Sequence, residues 1–205
     1  FYIVFINTIK SKKDLHTIFW SLGISALYLS LISYGQFFSG WNVPEAFLKT
    51  NGSVDRVVSV FGYPNALGLY LGPIIILFSG FIFWSKDKTI LQILKLIIIL
   101  LAFLTLILAK SEAAVLSVIG VWLLWGLIYH KTRYYFLSLI MLMVVVFMLV
   151  PQVNYYLTEK VLLQDYSGFI RRLIWQESLT MLKANWFWGA GLSGYQLKIA
   201  PYHLP

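Results

Sequence analysis

Three stretches of this sequence place side chains that can hold an anion beside long apolar runs. They are Arg56 with Asn65 just beyond it, Lys110 in the turn Lys110-Ser-Glu112, and the pair Arg171-Arg172. A guanidinium is a planar fork of donors matched to phosphate and carboxylate oxygens, and an ammonium is a point charge. Two neighbouring arginines at a membrane surface make a clamp for phosphate. Each feature also has a plainer reading. Arg56 suits a cation snorkelling at the interface, Lys110 can pair with Glu112, and Arg171-Arg172 can bind lipid head groups. His16 and His130 lie in basic turns and suggest no chemistry; His203, next to Pro201-Tyr202, has a chemistry suited to proton transfer, but a lone His is weak evidence for it. The sequence has no cysteine, no His/carboxylate cluster with metal-ligand spacing and no glycine-rich phosphate loop following a strand, so it offers no motif for a metal centre or for nucleotide hydrolysis.

The elements that must position these residues are set by composition. Hydrophobic residues make up 60% and charged ones only 12%, with a mean hydropathy of +0.78. A soluble domain carries about a quarter charged residues, so the pattern is that of an integral membrane protein. A span needs roughly 20 apolar residues. The runs that qualify are 17–38, 65–84, 90–109, 113–129 and 135–150, preceded by what reads as the end of another span over residues 1–9. The expected fold is all-α and polytopic, with about five complete transmembrane helices plus a partial N-terminal one. Residues 1–150 form the membrane domain and 151–205 a large extracytoplasmic loop with an amphipathic helix over roughly Gly168 to Lys183. On that helix Arg172, Gln176 and Lys183 share one stripe, Arg171, Trp175, Ser178 and Leu182 a neighbouring one, and Ile174 and Met181 face away. Trp186-Phe-Trp188 and Gly189, Gly191 and Gly194 are expected to end it. The sequence begins inside an apolar run and stops inside a polar one, which reads as a piece of a longer chain.

Charge orients the spans. Lys10, Lys12, Lys13, Lys86, Lys88, Lys131 and Arg133 fall in alternate short loops, and Lys49, Arg56 and Lys110 in the intervening ones. Seven against three assigns the first set to the cytoplasm. The net charge of +8 is then largely a topology signal, with no nucleic-acid partner implied. Arg56, Lys110 and the segment after Pro151 share the extracytoplasmic face. Within the Arg56 stretch, Pro64 suits the first turn of a helix, Tyr63 before it is pushed to an extended conformation, and Asn65 can offer its amide inward. Pro73 removes a helical hydrogen bond to Leu69, and Gly68-x-x-x-Gly72 permits close helix contact.

The series Arg56…Phe61-Gly-Tyr-Pro-Asn65-Ala-Leu-Gly68, then Lys110-Ser111-Glu112, then Arg171-Arg-Leu-Ile-Trp175 followed by Gly189-Ala-Gly-Leu-Ser-Gly-Tyr195 resembles the O-antigen ligase and polymerase family of bacterial membrane glycosyltransferases. The resemblance runs from about Ser25 to Tyr195. It implies a multi-pass enzyme of the bacterial plasma (inner) membrane, with its site facing outward, that takes a glycan from a polyprenyl pyrophosphate carrier. The acceptor is a glycan, a lipid or a protein, and membrane lipids surround it; no cofactor and no metal are implied. Arg56, Asn65 and Arg171 match the family's positions and are the residues it places at the pyrophosphate, with Arg172 an extra cation beside Arg171. Where the family commonly has Ser-Arg, this chain has Ser111-Glu112, so Lys110 is the residue left to supply that charge. The family's important His lies further along in a Pro-His-Asn-like context, so His203 is not equated with it and the catalytic base is expected beyond Pro205. The rival reading is a transporter or flippase of lipid-linked glycan. It predicts charges strung through several spans, and only Gln92 and Lys95 approach that pattern.

Overall fold

The computed structural model describes residues 7–129, 131–191 and 194–203. The start of the predicted partial span, His130, and Leu192-Ser193 of the glycine-rich motif lie outside the described residues. The fold is all-helical: α1 Lys12–Ser39, α2 Pro64–Trp84, α3 Thr89–Leu108, α4 Glu112–Ile128, α5 Arg133–Leu149, α6 Pro151–Val161, α7 Tyr166–Ala184 and α8 Gly194–Ile199. Two short 3₁₀ turns, Glu45–Phe47 and Ala200–Tyr202, complete the order. Among the described residues the one β-type pairing is an isolated bridge between Leu48 and Val54. Helices α1, α2 and α3 are each long and apolar enough to cross a membrane, and α4 is a shorter apolar helix of 17 residues. The chain divides into two units, one ending at Arg133 and the other beginning at Tyr134.

In the first unit, local chemistry sets the helix ends. Ser11 caps α1 reciprocally with Asp14, and Gly40, with φ of +69°, closes it through an N–H to Gln36 O bond of 2.8 Å. Helix α2 starts as its sequence predicts. Tyr63 is extended, Pro64 occupies the first turn where no N–H is needed, and the helix runs on through Pro73 to Trp84. Helix α2 packs against α1, α3 and α4. Lipid tails are as apolar as leucine, so cohesion here comes from close packing and interhelical hydrogen bonds rather than from escape from water. The Phe19 and Phe78 rings stack with centroids 4.0 Å apart, over a Gly23 that leaves room for the Phe78 ring. Across α2 and α4, Trp122 Nε1 donates to Ser79 Oγ at 3.0 Å. Ser25 and Tyr70 share a 2.7 Å hydroxyl bond between α1 and α2, and Tyr34 donates to the Leu101 carbonyl of α3 at 2.6 Å. Leucines such as Leu69, Leu100 and Leu124 stay on the outer surface, the expected lipid-facing side of spans.

Gly68 is the tightest point between α2 and α4. A Cβ there would collide with Ser111 Oγ and meet Ala114 Cβ at 3.0 Å, whereas one at Gly72 would find Val118 Cγ2 at a comfortable 3.9 Å. The Gly68-x-x-x-Gly72 spacing is thus used for helix contact, and Gly68 carries most of the demand.

In the second unit, α5 buries none of its described side chains, and α7 is capped by Asp165, whose side chain accepts from Gly168 N at 3.0 Å. Of the two residues expected to face away from the stripes, Met181 is buried and Ile174 is 46% exposed. From the stripe it shares with Arg171 and Trp175, the Ser178 hydroxyl meets the Tyr195 hydroxyl of α8 at 2.6 Å. The helix ends at Ala184 with Asn185 as its cap, one residue past the expected Lys183, and Trp186-Phe-Trp188 lies beyond it. Gly189 and Gly191 then take positive φ in the turn that follows.

Candidate anion site at Arg56

The chain leaving α1 returns over the ends of the helices by backbone bonding. Asp55 N and Arg56 N both reach Phe47 O, at 2.9 and 3.3 Å, and Val57 N bonds Leu108 O at 3.3 Å. Val57 and Val58 are buried, which fixes the neighbouring Arg56 over the carboxyl end of α3. Beneath this segment the buried side chain of Gln36 bonds the backbone of Val58 and Ser59.

From there the guanidinium makes three bonds. Nε donates to Ala109 O at 2.9 Å, and Nη2 donates to Lys110 O at 3.2 Å and to Asn65 Oδ1 at 3.3 Å. The carbonyls at a helix's last turn have no intrahelical partners and carry its negative dipole end, so a cation is favoured there on both counts. Arg56 is therefore neither a free snorkelling cation nor wholly spent. A guanidinium has five N–H donors, and among the described residues the two on Nη1 make no hydrogen bond.

Lys110 sits in left-handed backbone, φ +49°, directly after α3. Its Nζ binds Asp55 Oδ1 at 2.6 Å, a carboxylate the sequence reading did not single out. That bond is the main reason the Asp55 carboxyl lies below the usual carboxylate range; burial works against it, and the Lys110, Lys49 and Arg56 charges assist. Asp55 offsets one of the two cations and leaves Lys110 with two further N–H donors. Ser111, packed on Gly68, is buried and begins α4.

The structure thus brings Arg56, Asn65 and Lys110 together on the α2, α3 and α4 ends. Arg171 and Arg172 belong to the other unit, where both are exposed on α7 ahead of Trp175. In that unit His203 Nδ1 lies 3.1 Å from Glu177 Oε2. Two residues escaped the sequence reading. Asp55 was signalled only by standing next to Arg56, and Gln36 only by being an amide in the last turns of an apolar run. Among the described residues no group of three His, Cys, Asp or Glu is arranged to hold a metal ion.

Lys95, the strongest support for a transport path, is 1% exposed and satisfied locally. Its Nζ reaches Asp87 Oδ2 at 2.5 Å and Ser85 Oγ at 2.6 Å, so it ties α3 to the α2–α3 turn. Gln92 donates to the Ser85 carbonyl at 3.0 Å in the same cluster.

The fold is that of an all-helical protein with three helices long and apolar enough to cross a membrane, and it holds an oriented guanidinium at the helix ends. The family is more specific. A family profile for O-antigen ligase matches residues 96–205, just over half of the 205-residue chain, and the chain belongs to that family. No curated protein and no solved structure matches it. Membership makes it a bacterial membrane protein of polysaccharide biosynthesis, of the O-antigen ligase and polymerase type of glycosyltransferase. Lys110, Arg171 and Arg172 fall inside the matched stretch, and Arg56 and Asn65 precede it.

Proposed function

We propose that this chain transfers or polymerises a glycan carried on polyprenyl pyrophosphate, at the outer face of the bacterial inner membrane. In this reading the chain has five complete spans, residues 151–205 are extracytoplasmic, and Arg56, Asn65, Lys110, Arg171 and Arg172 bind the carrier pyrophosphate. The observation that carries it is the Arg56 guanidinium, held by three acceptors with its Nη1 donors left over. An acceptor hydroxyl attacks the anomeric carbon of the donor and gives up its proton to a general base. The anomeric carbon–oxygen bond breaks, and its electron pair goes to the departing pyrophosphate. Negative charge grows on that oxygen as the bond opens, so fixed donors stabilise the transition state more than the bound substrate. Donors already locked in place need no reorganisation at that moment. Asn65 spends its oxygen on Arg56, which leaves its NH₂ for a phosphate or sugar oxygen.

The test is glycan transfer by purified protein given a polyprenyl pyrophosphate-linked glycan and an acceptor, with no membrane gradient. Arg56→Ala and Arg171→Ala are each expected to abolish transfer while inserting normally; full activity in both overturns the site. Redistribution of the lipid-linked glycan across sealed vesicles without any transfer product would establish the transporter reading instead.

A further inference from the structure

We infer that Gln36 is the positioning residue of the Arg56 site, an inference that rests on the reading just given. Gln36 lies in the last turns of α1 with no exposed surface. All of its hydrogen-bonding capacity is spent on the loop that carries Arg56. Its Oε1 accepts from Val58 N at 3.1 Å and from Ser59 N at 2.7 Å, and its Nε2 donates to Ser59 O at 2.8 Å and Asn42 O at 3.2 Å. One side chain thereby ties both ends of the segment from Asn42 to Ser59 to the same point of α1.

The backbone needs that grip. Ser59 has φ of +55°, in the left-handed region that residues with a Cβ seldom occupy and keep only when their surroundings over-determine them. Gln36 holds both the N–H and the C=O of Ser59, and the Ser59 hydroxyl donates to Leu29 O at 2.9 Å, about two helical turns before Gln36 on α1. On the other side Val57 N is bonded to Leu108 O of α3. Arg56 therefore sits on a short segment gripped by α1 behind and α3 in front. Ser59 released from Gln36 would relax toward ordinary backbone angles, and the rotation would carry the guanidinium off Ala109 O and Asn65.

The requirement is specific to an amide. Glutamate at this position keeps two acceptors for the N–H groups but, ionised, offers no donor to the two carbonyls. Leucine fills similar space and offers neither. Function is expected to fall in both Gln36→Glu and Gln36→Leu, because each leaves the Ser59 and Asn42 carbonyls short of a donor and an ionised glutamate would also bury an unpaired charge.

The test combines exchange and coupling in the whole protein. Hydrogen–deuterium exchange of peptides covering 56–61 should quicken in Gln36→Leu by at least about tenfold, the scale of losing buried hydrogen bonds. Peptides from the middle of α2 and α3 should be unchanged. Transfer from the polyprenyl pyrophosphate-linked glycan should fall about tenfold in Gln36→Leu on the wild-type background, and little further when the same change is made in Arg56→Lys, because both act through one guanidinium. Full additivity on the Arg56→Lys background, or unchanged exchange at 56–61, overturns the inference. If Gln36→Leu does not accumulate, Gln36→Glu carries the same two measurements. If Arg56→Ala itself keeps full transfer, the functional reading fails, and the exchange result still decides whether Gln36 holds the loop.

Discussion

Arg56 Nε donates to Ala109 O at 2.9 Å, so a loop cation caps the carboxyl end of α3. This one bond gives Arg56 a part in the fold as well as in any ligand site, and the two can be separated. Arg56→Lys keeps a positive charge near the helix end but cannot span Ala109, Lys110 and Asn65 at once. The expected outcome is a loss of about 1 kcal/mol or less in stability, read by thermal unfolding in detergent, together with transfer cut by tenfold or more. Transfer near wild type would mean that charge alone suffices.

Asn65 offers a sharper separation. Its Oδ1 faces the Arg56 Nη2 at 3.3 Å. In Asn65→Asp that oxygen becomes charged, so the contact to Arg56 strengthens while the site gains a negative charge that repels pyrophosphate. Stability should hold or rise slightly, and KM for the lipid-linked donor should increase more than in Asn65→Ala. Equal KM values in the two variants would place the donor away from Asn65.

Gly68 and Gly72 should respond unequally to alanine. The methyl at Gly68 meets Ser111 Oγ and Ala114 Cβ, and overpacking of that kind costs about 1–3 kcal/mol. At Gly72 the nearest atom is 3.9 Å away, and alanine should be tolerated or mildly favourable to the helix. Melting temperatures of the two variants, compared in the same detergent, decide this. Gly68→Ala should also lower transfer, because Ser111 follows directly on Lys110.

Much of this fold is written in the hydropathy of the chain. The apolar runs predicted over 65–84, 90–109, 113–129 and 135–150 coincide closely with α2 to α5, because sustained apolarity and Pro or turn residues act locally. Pro64 at the first turn of α2 and the close approach at Gly68 are legible for the same reason. The pairing of side chains is not. Nothing in the order of residues says that Lys110 prefers Asp55, or that Arg56 will reach the carbonyls of Ala109 and Lys110, because those contacts depend on where a long loop folds back. On α7 the helical wheel gives the stripes but not their partners, and the contact of Ser178 with Tyr195 depends on where α8 folds back.

Lys95 and Asp87 test what holds the α2–α3 turn. The lysine is 1% exposed and its partner 30%, so replacing the carboxylate by an amide leaves a buried charge facing neutral oxygens and the Phe81 ring, with no counter-charge. Asp87→Asn should cost about 3–5 kcal/mol, and Lys95→Met together with Asp87→Asn should recover most of it, since an apolar side chain of similar length needs no counter-charge. Unfolding of the two variants gives the comparison. Transfer should follow stability alone, because this cluster holds the turn between Trp84 and Thr89 and takes no part in the site at Arg56.

The Asp55–Lys110 pair sets an acid dependence with a definite sign. Hydrogen bonding from Lys110 lowers the Asp55 carboxyl in the folded protein relative to its unfolded value of about 3.9. A depressed folded value means that the pair contributes stability above the unfolded value and loses it as pH falls through the lower, folded one. The loss therefore begins near pH 4 and grows below it. Both side chains are more than a third exposed, at 35% for Asp55 and 55% for Lys110, so the contribution is only about 0–1 kcal/mol. Asp55→Asn removes that component, and its melting temperature should fall less steeply than wild type below about pH 4 while lying slightly lower at neutral pH. The same change removes a negative charge beside Arg56, so at neutral pH and low salt KM for the pyrophosphate-linked donor should fall, an advantage that added salt screens away. Parallel melting profiles in wild type and Asp55→Asn would show that the pair carries no acid-sensitive stability, and an unchanged KM would separate Lys110 from the donor.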